Sequence, residues 1–322
     1  MASVRDRALI VKVARMYYEQ NFSQDQIARE LITSRSNISR ILSAAKEKGI
    51  VEIRIVEASQ RDTELEALLV ARFGIRAAYV AYCPADSNEY KAVGTLAASN
   101  FSSNLKPNIR IAVSWGRSVQ AMVQEIKEDH RPDVTLIPIM GGMTDIPSSI
   151  NGETLIQTMA SKLQAEGLLM HAPAIVQSPE MRNALMLEPS IRGVIDSAKN
   201  ADRAYVGIGS RLATSSNYIL QAAGVTRDDN PKFFQDMVGD IAGRFYDKDG
   251  RSVDPQLERR TVGLTIAEIQ KIKHVVGVAA GEDKASGILG ALRGRLISEL
   301  VTSSNCALKV LEMAESTDSG ME

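Results

Sequence analysis

Cysteine is scarce in this chain: its 322 residues include only Cys83 and Cys306, far apart and with no CxxC or Cys/His cluster. Neither a disulfide framework nor a zinc–thiolate site is therefore expected. Histidine is equally sparse. His130, His171 and His274 do not cluster, which argues against a metal-ligating set and against a histidine base. No stretch approaches the ~20 apolar residues of a membrane span, and no basic-then-apolar leader opens the sequence, so a cytoplasmic protein without a membrane partner is expected. Net charge is −1, so the chain as a whole is not a polycation, and any affinity for nucleic acid must come from a local patch. GxSxG and P-loop motifs are missing, and "GIGSRL", Gly207 to Leu212, lacks the third glycine of a dinucleotide fingerprint. Hydrolase, ATPase and dinucleotide chemistry are thus unsupported, and no cofactor is expected. "YDKDGR", Tyr246 to Arg251, opens like a calcium loop but lacks the third ligand position and the distal Glu, so a hairpin turn is expected.

What the chain does have is ordinary globular material, 44% hydrophobic and 24% charged, with length for about two domains. Residues 4–20 place Leu9, Ile10, Val13, Met16 and Tyr17 at helical spacing. Ser23 and Gln26 form a capping-box pair ahead of a helix from Gln24 to Leu31 that buries Ile27, Ala28 and Leu31. After a short connection, Ser34 can cap a third helix reaching about Lys48, with Ile38, Ile41, Leu42 and Ala45 inward and Gly49 as its stop. Val51, Ile53 and Ile55 then alternate with Glu52 and Arg54, the period of a half-exposed strand. Three helices and a strand in this order predict a winged helix-turn-helix, whose second motif helix places its first residues on base edges. Those residues are Ser34, Arg35, Ser36, Asn37, Ser39 and Arg40, with Gln24 at the start of the preceding helix also in reach. Arg pairs with guanine, Asn with adenine, and Ser with phosphates or bases. Arg35, Arg40, Lys46 and Lys48 against Glu47 make a local +3 that could attract the phosphate backbone of double-stranded DNA. One such module makes few contacts, so a dimer or higher oligomer reading repeated half-sites is expected.

Residues 61–73 read as a helix, with Leu65, Leu68 and Leu69 on one face and Gly74 at its end, suited to connecting two domains. Beyond it, strands near 77–82, 109–114, 134–139, 204–208, 274–280 and 297–301 alternate with helices near 90–105, 117–127, 154–165, 284–293 and 304–314. Such alternation predicts an α/β fold with a doubly wound, mostly parallel sheet covered on both faces. Ligands of such sheets bind beyond the carboxyl ends of the strands. Four loops qualify: Ser114-Trp115-Gly116-Arg117-Ser118, entering a helix; Gly141-Gly142; Gly209-Ser210; and Gly281-Glu282-Asp283-Lys284, again at a helix start. Helix starts attract phosphate, and glycine lets backbone approach a ligand. Together these loops describe a small-molecule site for an anionic group. The last residues, 316–322, are expected to be a disordered tail.

Blocks along nearly the whole chain resemble the SorC family of bacterial transcriptional regulators. They are "VARMYYEQNFSQDQIAREL…SRSNISRILSAAKEKGIVEIRI", "IRIAVSWGRSV", "IPIMGGM", "HAPAIV", "ADRAYVGIGS", "MVGDIAGRFYDKDGR" and "VVGVAAGEDKASGILGALRGRLISELVTSSNCAL". The resemblance implies a winged helix-turn-helix at 1–58, a linking helix at 59–74 and an effector and oligomerisation domain at 75–315 akin to sugar-phosphate isomerases. It implies a sugar, polyol or sugar-phosphate effector and a tetramer built as a dimer of dimers. By motif, the Ser114–Ser118 loop would hold phosphate, Asp240 would bond ligand hydroxyls, and Lys284 would meet a carbonyl or phosphate with Glu282 beside it. Two departures stand out: Ser303 and Ser304 where an acidic run is common, and no glycine in the "LITSRSN" turn. The reading is a ligand-responsive DNA-binding regulator of carbohydrate genes, not an enzyme. The alternative is an isomerase-like enzyme with an appended DNA-binding module, using Asp240, Glu282 and Lys284 as acid, base and electrophile.

Overall fold

The computed structural model describes residues 4–18, 20, 22–51, 61–84, 87–143, 146–211 and 214–318. The chain divides into two compact units, Met1–Ala58 and Ser59–Glu322.

The first unit holds α1 (Val4–Tyr18), α2 (Gln24–Glu30) and α3 (Arg35–Glu47). Both predicted caps form: Ser23 and Gln26 make the reciprocal capping box, and Ser34 Oγ accepts from Asn37 N–H. Ile27 and Ile38 are fully buried between α2 and α3, with Val13, Met16 and Leu42 around them. Ala28 is buried as expected. Leu9 lies outside this core, 42% exposed, because the buried stripe of α1 runs through Ile10, Val13 and Ala14 instead. Gly49, at φ 63°, stops α3. Val51, the first residue of the expected wing, is a bend rather than a strand, its N–H held by Ala45 O at 3.1 Å. The remainder of the wing lies outside the described residues.

The second unit is built on seven parallel strands in the order β1-β9-β8-β5-β2-β3-β4. These are β1 (Ala77–Ala81), β2 (Arg110–Val113), β3 (Thr135–Pro138), β4 (Glu166–Gly167), β5 (Arg203–Gly207), β8 (Val275–Val278) and β9 (Glu299–Ser303), while β6 (Gly239–Ile241) and β7 (Arg244–Tyr246) form a separate antiparallel hairpin. Every residue of β8 and β9 is buried. Successive strand side chains point to opposite faces, so both faces of the sheet are covered there. The helices of this unit are α4 (Thr63–Phe73), α5 (Glu89–Ser103), α6 (Arg117–Glu125), α7 (Gly152–Leu163), α8 (Pro179–Leu187), α9 (Pro189–Lys199), α10 (Thr214–Ala223), α11 (Pro231–Asp236), α12 (Pro255–Arg260), α13 (Ile266–Gln270), α14 (Ala285–Arg293) and α15 (Ser304–Asp318).

Three expectations change. Helix α4 is not a free link: it buries Leu65 and Leu69, its Glu66 carboxylate accepts from Val80 N–H at 2.9 Å, and Leu68 is its exposed large apolar residue, 49% exposed. The tail expected from residue 316 begins as helix, because α15 continues to Asp318; residues 319–322 lie outside the described set. Helices α8 to α13 and strands β4, β6 and β7 were not read from the sequence, several being only two to six residues long. Such lengths carry too few repeats for periodicity to register. The "YDKDGR" stretch is a turn, with Asp247 Oδ1 accepting from the N–H groups of Asp249 and Arg251, each at 2.9 Å.

After β2 the chain winds outward through β3 and β4, then returns to place β5 on the other side of β2. The boundary between β2 and β5 is therefore the topological switch point, where a crevice opens at the carboxyl ends of the strands.

Candidate DNA-reading face and effector cavity

On the first unit, the start of α3 is presented to solvent. Arg35, Ser36, Ser39 and Arg40 are exposed, while Ile38 between them is fully buried. One helical face thus anchors the helix and the other faces solvent. Ser34 and Asn37 are partly committed: Ser34 Oγ caps the helix, and Asn37 Nδ2 donates to Thr33 Oγ1 at 3.0 Å. Gln24 is half-buried at the start of α2, and Arg35 lies 3.9 Å from Asp25 across the turn. In that turn Ile32 takes the left-handed conformation at φ 51° and is 95% exposed, the position at which the sequence lacks a glycine.

On the second unit, a cavity opens at the switch point, with about 420 Å³ of space counting its mouth. Its floor is the start of α6. Gly116, at φ 119°, is the N-cap, and no side chain caps that first turn. Trp115, Arg117 and Ser118 line the wall with Gly116. Across the crevice come Gly207, Ile208 and Gly209 from the end of β5. Asp240 and Ala242 reach in from the β6–β7 hairpin, and Lys284 from the turn ahead of α14. Ser114 sits beneath the wall rather than on it: its Oγ accepts from Gly207 N–H at 2.9 Å and ties β2 to β5 across the crevice. Ser118 Oγ accepts from Ala280 N–H at 3.3 Å, so β8 is tied in as well.

The cavity mixes two cations with one carboxylate. Asp240 accepts from Ser216 Oγ at 2.5 Å and from Gly243 N–H at 3.4 Å. Burial holds its carboxyl above the usual range, opposed by Ser216, Lys284 and the Gly243 N–H. Lys284 is 3% exposed, with Nζ 3.6 Å from Asp283 Oδ2. Burial pushes its ammonium down, opposed by Asp283 and Asp240, while Arg117 adds to the lowering. Desolvation thus biases both groups towards their neutral forms. An entering anion would favour the charged form of Lys284, and ligand hydroxyls could donate to the Asp240 carboxylate.

The sequence missed Tyr90, which lines the cavity from the second residue of α5 and carries the Arg117 guanidinium 5.3 Å above its ring. The helices α5 and α6 come close enough for this because Gly94 has no Cβ; one built there would lie 2.6 Å from Ala121 backbone. Searching the loop after β1, as after the other strands, would have reached Tyr90. Besides Ser114, three predicted residues do not line the cavity. Glu282 is exposed and is not among the residues that line the cavity. Gly141 and Gly142 support the fold instead: Gly141 N–H donates to Val262 O at 3.0 Å and Gly142 N–H to Ala172 O at 2.9 Å.

A small helical unit with an exposed basic helix start, and a parallel α/β unit with a polar cavity at its switch point, define a DNA-reading regulator class with a small-molecule domain. Comparison with known proteins agrees. The family model for a sugar-binding domain matches residues 57–312. The chain is 35% identical over 318 residues to the sorbitol operon regulator of Klebsiella pneumoniae, covering 97% of this chain and 100% of that protein. It is 30% identical over 315 residues to the transcriptional regulator LsrR of Enterobacter sp. (strain 638), covering 97% and 95% respectively. The crystal structure of full-length sorbitol operon regulator SorC from Klebsiella pneumoniae matches with a TM-score of 0.81 at 35% identity, covering 95% of this chain and 99% of that one. The chain belongs to the SorC family of transcriptional regulators. Among the described residues no helix is long and apolar enough to cross a membrane.

Proposed function

We propose that this regulator binds an operator through α3 and that a phosphorylated sugar or polyol in the cavity changes that binding. The observation that carries the reading is the uncapped start of α6 sharing one cavity with Arg117, Lys284 and Asp240. The helix start and the two cations suit a phosphate, since backbone N–H groups and fixed positive charge converge there. Asp240 suits hydroxyls, because a carboxylate accepts several hydrogen bonds from a polyol. Arg35 and Arg40 supply phosphate or guanine contacts, and Asn37 and Ser39 lie on the same turns. One α3 reads few base pairs, so the working form is a homo-oligomer, a dimer of dimers, spanning repeated half-sites. The effector acts by linkage: a ligand that favours one assembly shifts the population towards it, and a coupling of ~1–3 kcal/mol alters operator affinity ~5–150-fold.

Full-length protein tests this. A thermal-shift screen of sugar phosphates, their parent sugars, polyols and inorganic phosphate is paired with selection of bound DNA from random sequence. At least one phosphorylated compound should raise the melting midpoint and change affinity for the selected DNA. If no compound shifts the midpoint and no DNA sequence is enriched, the reading is wrong. Turnover of a sugar phosphate by the purified protein would favour the isomerase-like alternative.

A further inference from the structure

Arg244 is fully buried, yet among the described residues no carboxylate accepts from its guanidinium. Instead it donates to four carbonyls: Nε to Leu264 O at 2.9 Å, Nη1 to Glu258 O at 2.8 Å, and Nη2 to Gly263 O at 3.0 Å and Thr261 O at 3.3 Å. Burial lowers its pKa to about 10, which leaves it charged at neutral pH. A buried cation is costly unless its donors are satisfied, and a guanidinium suits so many fixed acceptors at once, with the charges of Glu258 and Glu268 also favouring it.

The segment it grips is itself sewn to the other half of the cavity. Leu264 N–H donates to Ile139 O at 3.0 Å, and Gly141 N–H donates to Val262 O. Between those two lies Met140, whose sulfur accepts from the Trp115 indole N–H at 3.1 Å. Gly263 lies so close that a Cβ there would sit 2.7 Å from Met140 Cβ. Trp115 begins the anion-binding loop. On the opposite side, Arg244 directly follows the tight turn Ala242–Gly243, both left-handed at φ 50° and 73°, and Gly243 N–H donates to the Asp240 carboxylate. The anion half and the hydroxyl half of the cavity are therefore both referenced to residues 139–141 and 261–264. The Gly141–Gly142 loop, which does not line the cavity, belongs to this shared reference.

We infer that Arg244 is a positioning residue that sets the distance between the phosphate-binding loop and Asp240, and thereby the length of sugar or polyol phosphate the regulator accepts. This rests on the proposed function. Arg244 touches no ligand; it acts through the hairpin that carries Asp240. Its loss should fall on recognition of the hydroxyl-bearing part, leaving the phosphate part intact, whereas a general loss of packing would weaken both.

Calorimetric titration of the full-length protein with inorganic phosphate, a pentose 5-phosphate, a hexose 6-phosphate and a hexitol 6-phosphate provides the test. Native protein should prefer one sugar phosphate over inorganic phosphate by tenfold or more. Arg244→Lys keeps the charge but not the fork. It should bind inorganic phosphate within twofold of native and lose at least tenfold of the preference among sugar phosphates. Folded Arg244→Lys with native selectivity overturns the inference and leaves the functional reading standing. A parallel loss for inorganic phosphate also overturns it, since that marks a merely structural role. Native protein that binds none of these probes overturns the functional reading and the inference together. Should Arg244→Lys not fold, Gly243→Ala serves in its place: its Cβ would press on Met140 Cε at 3.3 Å in a left-handed turn and displace the same hairpin. Reduced selectivity there supports the inference, and native selectivity overturns it.

Discussion

Replacing Lys284 by methionine separates two roles of one buried ammonium. The side chain is 4% exposed, and its nearest charge, Asp283 at 3.6 Å, is itself 39% exposed. Its stem can be mimicked by methionine at similar volume, so the variant keeps the packing and removes only the charge. In the unliganded protein little should be lost, because burial already opposes the charged form. With a phosphate bound, the loss is a charge-assisted hydrogen bond, worth about 1.5–3 kcal/mol in a site of this kind. At 1.4 kcal/mol per factor of ten, that corresponds to affinity weaker by ~10–150-fold. The parent sugar, lacking phosphate, should bind both proteins alike. The assay is calorimetric titration of native protein and Lys284→Met with the active sugar phosphate and its parent sugar, with melting midpoints measured alongside. The effector concentration that half-changes DNA affinity should rise by the same factor, while DNA affinity without effector stays put. Phosphate-ester affinity within twofold of native, in a variant with the native midpoint, would refute Lys284 as the anion's partner.

Three further outcomes follow from the same geometry. Arg40→Ala should weaken operator binding by about 1–3 kcal/mol if it reads a base, or lower the salt slope by about one if it meets a phosphate, with cavity ligands binding as before; gel-shift titrations over a salt series distinguish these, and loss of ligand binding would contradict the two-site division. Gly209→Ala places a Cβ within the Asp240 carboxylate and 2.5 Å from Ser216 Oγ, so titration with the active sugar phosphate should detect no binding, and native affinity would mean Asp240 lies elsewhere. Asp240→Asn should alter the pH profile of stability. A carboxyl whose folded pKa is raised costs stability as pH climbs from the unfolded value, about 4, through the folded one. The melting-midpoint advantage of Asp240→Asn over native protein should therefore be larger at pH 7 than at pH 4, and an equal gap at both would count against a raised carboxyl.

Much of the site could be read locally. The Ser114–Ser118 loop, Gly209 and Lys284 each follow an apolar strand, and strand ends in a parallel sheet share one edge. Gly141 and Gly142 satisfied the same rule and still do not line the cavity, because their N–H groups pair with Val262 and Ala172, both far along the chain. Glu282 fails for a different reason: it opens a short helical turn whose buried side is taken by Lys284, leaving Glu282 in solvent. Tyr90 enters because Gly94 lets two helices meet, a contact between positions 94 and 121 that no local pattern announces.

The residues alone determined the caps of α2 and α3, the exposed Arg35, Ser36, Ser39 and Arg40, the βα alternation and the polar loops at strand ends. All of these depend on interactions within about a turn or on a two-residue period, and so leave a trace in neighbouring letters. Only the tertiary structure decided that β5 returns beside β2, that Tyr90 supports Arg117, and that Arg244 holds the Asp240 hairpin to the support beneath Trp115. Those choices are set by pairings between residues far apart in the chain, as between Ser114 and Gly207, or by a buried cation seeking carbonyls that only the folded chain assembles. Hydrogen-bond satisfaction in the interior is a property of the whole packed molecule, and a sequence read in short windows cannot express it.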